Sequence, residues 1–104
     1  MLDPQSAVRR EPYRMYIDGK FEVSDSGRTF DVVSPVTNKV IAKVYEGGQS
    51  DVERAISAAR RAFDDGPWSR MSQAKRSSLL LRAGQLLKER EDEFIAIEGL
   101  NCGK

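Results

Sequence analysis

The sequence predicts a small α+β fold, with strands first and helices after. Two patterns carry this: up to residue 46, short β-favouring segments alternate with turn residues, and from about residue 51 apolar residues recur at helical spacing to about residue 100. A length of 104 residues adds a bound, because it allows one domain at most and a core with little margin over the entropy of folding.

Residues 1–12 are polar, contain Pro4 and Pro12 and show neither strand nor helix periodicity, so they are expected to form a flexible N-terminal arm. Strands are expected over about 14–46. Their β-favouring pieces are Tyr16-Ile17, Phe21 to Val23, Thr29 to Val33 and Lys39 to Tyr45, separated by Asp18-Gly19-Lys20, Ser24 to Gly27 and Ser34 to Asn38. Asp18-Gly19 between two apolar segments is a hairpin signal, since both central positions of the favoured turn need positive φ. In the last strand Val40, Ala42 and Val44 alternate with Lys39, Ile41, Lys43 and Tyr45, as in a half-buried strand.

Gly47-Gly48 breaks that strand, and Ser50 to Glu53 reads as a capping box that opens a helix over about 51–64. Val52, Ile56, Ala59 and Phe63 form its apolar stripe, with Asp51 and Glu53 at the positive end of its dipole and Arg60 and Arg61 near the negative end. Gly66-Pro67 ends it, with Gly66 suited to a left-handed cap and Trp68 to filling a corner between helices. Ser72 is the next N-cap, and helix is expected over about 72–100, with Leu79, Leu80, Ala83, Leu86 and Leu87 on one stripe. A third stretch from Asp92 to Leu100 either continues that helix or follows it. Short connection and matching stripes together predict that the first two helices pack antiparallel, with Leu81 on the outer side.

Composition excludes several function classes. Seventeen basic and sixteen acidic residues give a net charge of +1, which supplies no field for nucleic acid or an anionic membrane, and no apolar run is long enough to span a bilayer. Residues 1–12 carry four charges and no apolar core of a secretion signal, so a cytoplasmic location is expected. One cysteine and no histidine exclude a zinc centre and a disulfide framework. Cys102 has a thiol that could attack a carbonyl, but it falls near a helix C-terminus with no histidine as base, so it reads as a packing residue. Gly47 to Ser50 precede a helix yet lack a phosphate-binding fingerprint, and Asp64, Asp65, Glu89, Glu91, Asp92 and Glu93 alternate with Arg and Lys as on solvated faces.

Read in order, Tyr16 to Phe21, Phe30 to Pro35 with Thr37, Asn38, Val40 and Ile41, and then Asp51-Val52 with Ala55, Ala58-Ala59 and Ala62-Phe63 resemble the start of the aldehyde dehydrogenase superfamily. The likeness continues through Trp68-Ser69, Arg76, Leu80 with Ala83, Leu86-Leu87, and Glu98 with Leu100 and Gly103-Lys104. It implies that residues 13–104 are the N-terminal part of the Rossmann-like cofactor domain region of an NAD(P)-dependent enzyme that oxidises an aldehyde to a carboxylic acid. It further implies catalytic groups that this chain does not supply, including a nucleophilic cysteine in a motif that Cys102 does not match. The chain alone is therefore expected to be inactive, with no catalytic or cofactor-binding residue of its own. NAD or NADP would bind to the complete protein, and the partners implied are the remainder of the same subunit, further copies in a homodimer or homotetramer, and an aldehyde, with no nucleic acid and no membrane. The resemblance also places the main-chain carbonyls of Val32 and Val33 at a monovalent cation site. An alternative from the residues themselves is a stand-alone helical-hairpin interaction module whose stripes form a groove for a partner helix.

Overall fold

The computed structural model describes residues 3–103; Met1 and Leu2 of the expected arm, and Lys104 at the end of the resemblance, lie outside it. Within the expected arm, Pro4–Ala7 form a single 3-10 turn capped by the Asp3 carboxylate, which accepts from the Gln5 amide. Two antiparallel hairpins follow. In the first, β1 (Met15–Ile17) pairs with β2 (Lys20–Glu22) through the two-residue turn Asp18-Gly19, whose φ values of 53° and 76° are those of the turn that the dipeptide favours. In the second, β3 (Thr29–Val33) pairs with β4 (Val40–Tyr45) from Thr29 opposite Tyr45 to Val33 opposite Val40. Tyr13 adds one parallel bridge on the far side of β4, its amide donating to the Lys43 carbonyl and its carbonyl accepting from Tyr45.

Three helices complete the chain: α1 (Gln49–Asp65), α2 (Gln73–Glu89) and α3 (Glu91–Cys102), with a 3-10 turn at Trp68–Arg70 between the first two. Ser72 caps α2 as its sequence position predicts, accepting from the Lys75 amide at 3.1 Å. Arg90 separates α2 from α3: its φ of −111° and ψ of 22° leave helical geometry, and its guanidinium pairs with Glu93 across the break. The α+β arrangement predicted from the pattern is therefore the one observed. Several local expectations need correction. Gly66 lies at φ −72°, outside the left-handed region, and its lack of a Cβ matters for a different reason, since one there would stand 2.2 Å from the Ala62 carbonyl oxygen. Trp68 fills no corner and is 46% exposed.

The largest correction concerns the helical stripes. α1 and α2 do not pack along their lengths, and Ile56, Phe63 and Leu80 are 63%, 72% and 64% exposed, little less than the 76% of Leu81. Among the described residues the buried hydrophobic side chains are Ala58 and Ala96 only. A helical-hairpin module therefore has no packed hairpin to present. The Cα radius of gyration is 17.0 Å, against about 13 Å for a compact domain of this length, and the accessible surface of 8367 Å² compares with about 5,900 Å² for a compact chain of this mass. The apolar periodicity is right for helices, but the surfaces it defines have no counterpart within the chain.

Candidate functional site

The most organised cluster of polar side chains lies where the loop after β2 meets the start of α1. Helix α1 opens two residues earlier than Ser50 to Glu53 suggest, with Gly48 as N-cap. Asp51, at the third helical position, turns its carboxylate back to accept from the Gly48 amide at 2.8 Å, which satisfies one of the unpaired donors of the first turn. The same carboxylate accepts from the Asp25 amide at 3.2 Å and from Arg54 Nη2 at 2.8 Å, and Asp51 is only 2% exposed. Arg54 also reaches Asp25 at 2.8 Å and Glu22 at 3.6 Å, while the Ser50 hydroxyl donates to Asp25 instead of capping its own helix.

The electrostatics follow from that geometry. The Ser50 hydroxyl, and then the Arg54 guanidinium, hold the Asp25 carboxyl below its ordinary value of 3.8. The Asp25 carboxylate in turn raises Arg54, which stays protonated throughout the accessible pH range. Three carboxylates thus surround one guanidinium. A cation already occupies their centre, and among the described residues no group of three or more His, Cys, Asp or Glu side chains is arranged to hold a metal. The cluster is a clamp between loop and helix. It also answers the phosphate question at Gly47 to Ser50, because the Asp51 carboxylate takes the place that an anion would occupy at this helix N-terminus.

The sequence-predicted candidates fall elsewhere. Val32 and Val33 end β3, where the register slips so that Ile41 of β4 is left without a partner, a bulge in β4. Just beyond, the buried Ser34 accepts from the Val36 and Thr37 amides through its hydroxyl, and its backbone closes a turn to Lys39 and Asn38. Cys102 is the last residue of α3, exposed, with its thiol donating to the Glu98 carbonyl at 3.0 Å and lying 3.1 Å from the Glu98 carboxylate. The charged helix faces are solvated as expected: Arg60 pairs with Asp64, Arg82 with Glu89 and Arg90 with Glu93, with Glu93 half-buried and the others exposed. The structure brings none of these candidates together. The clamp at Asp51 escaped the sequence reading because Asp25 and Asp51 stand 26 positions apart; the one local signal was an acid in the first helical turn.

The sequence profile of the aldehyde dehydrogenase family matches residues 21–104. The putative aldehyde dehydrogenase DhaS of Bacillus subtilis (strain 168) is 44% identical over 91 residues, which are 88% of this chain and 18% of that protein. Among solved structures, an NAD-dependent aldehyde dehydrogenase from Sinorhizobium meliloti superposes with a TM-score of 0.82 at 41% identity, over 91% of this chain and 19% of that one. Betaine aldehyde dehydrogenase from Staphylococcus aureus, in complex with NAD+, superposes with a TM-score of 0.90 at 35% identity over 97% of this chain and 20% of that one. The chain spans about a fifth of the length of these relatives.

Proposed function

The chain belongs to the aldehyde dehydrogenase family, and we propose that it is the N-terminal portion of a subunit that oxidises an aldehyde to a carboxylic acid with NAD or NADP. The observation that carries this reading is the near-complete superposition on NAD-dependent and NAD+-bound aldehyde dehydrogenases at identities well above chance. Exposed stripes support it, because Val52, Ile56 and Phe63 on α1 and Leu80, Leu81 and Leu87 on α2 present apolar surface that the remainder of a subunit would bury. In this reading residues 13–104 open the Rossmann-like cofactor domain region, and the segment acts as scaffold. The Asp51 clamp fixes the start of α1 against the β2–β3 loop, and the nucleophile, oxyanion donors and nicotinamide site belong to the rest of the subunit.

The Val32 and Val33 carbonyls are proposed ligands of a monovalent cation in the complete subunit. The adjacent bulge supports this, since it interrupts regular pairing where those carbonyls lie. Assembly into a homodimer or homotetramer and a cytoplasmic location belong to the same proposal; no helix among the described residues is long and apolar enough to cross a membrane. Reading the coding frame past Lys104 tests the central claim. A continuing frame with a cysteine-containing catalytic motif is the expected result, and a stop codon there overturns it. The purified 104-residue chain is expected to leave NAD and NADP unreduced with any aldehyde, and turnover abolished by Cys102→Ala would overturn the scaffold assignment. Crystals of the complete enzyme grown with a heavy monovalent cation should show anomalous density beside Val32 and Val33; its absence would refute the cation site.

A further inference from the structure

We draw no further inference here: the strongest candidate, the exposed apolar surface of α1 and α2 around Val52, Ile56, Phe63, Leu80 and Leu81, is already assigned to the remainder of the subunit in the reading above, and nothing in the structure shows a different occupant.

Discussion

Helices α1 and α2 both carry apolar stripes but are held in different ways. At its start α1 is fixed by a buried carboxylate that joins Gly48, Asp25 and Arg54, and its Ala58 packs out of solvent beside the first hairpin. α2 carries more leucines than any other element, yet no residue of it is buried among those described. Apolar content alone therefore does not identify the stable part of this chain. A leucine stabilises a fold only to the extent that something covers it, whereas a short carboxylate satisfies several backbone and guanidinium donors without a large partner surface.

That contrast is most exposed to test at Asp51. Asp51→Ala would leave the Gly48 and Asp25 amides and Arg54 without their shared acceptor, and a loss on the order of 3 kcal/mol is expected in urea unfolding of a complete subunit. A loss no greater than that of Arg82→Ala, which removes only an exposed ion pair, would show that the clamp is not what holds this region.

A smaller effect is expected where α1 ends. Gly66→Ala sets a Cβ against the Ala62 carbonyl oxygen, so the backbone must shift, and a loss above about 1 kcal/mol is expected. An unchanged urea midpoint would mean that the junction between α1 and the 3-10 turn relaxes freely. Leu80→Ala and Leu81→Ala sharpen the other side of the comparison. Both should change the stability of the 104-residue chain by no more than about 0.5 kcal/mol, since both side chains face solvent. In a complete subunit, truncation of whichever leucine is then buried should cost about 2–5 kcal/mol. Equal, small losses in both settings would contradict burial of this face by the remainder of the subunit.

The smallest effect is expected from pH. Asp25 has its folded value depressed by Ser50 and Arg54, so its contribution is complete above the ordinary value of 3.8 and is lost as the pH falls through the lower, folded value. Glu93, held down by Arg90, follows the same sign across the α2–α3 break. Because Asp25 is exposed, the difference between wild type and Asp25→Asn should be slight at pH 7 and vanish in strong acid. A difference that grows on acidification would reverse the assigned sign.

Short-range rules made much of the architecture legible in the sequence. Asp18-Gly19 placed the first hairpin because few dipeptides adopt positive φ twice in succession, and the turn residues at 24–27 and 34–38 delimited β3 and β4. Ser72 marked the start of α2 by the hydrogen bond that it makes three residues on. What local pattern could not determine was which surfaces are covered. The heptad-like stripes of α1 and α2 suggested mutual packing, but the 3-10 turn at Trp68–Arg70 and the extended shape of the chain leave them apart. The start of α1 was likewise settled from a distance, when the loop at Asp25 drew Ser50 away from its cap and shared the Asp51 carboxylate with Gly48. Turns and caps depend on a few neighbouring dihedrals and hydrogen bonds, so residue identity determines them; burial and ion-pair choice depend on what else approaches in space, which only the tertiary structure decides.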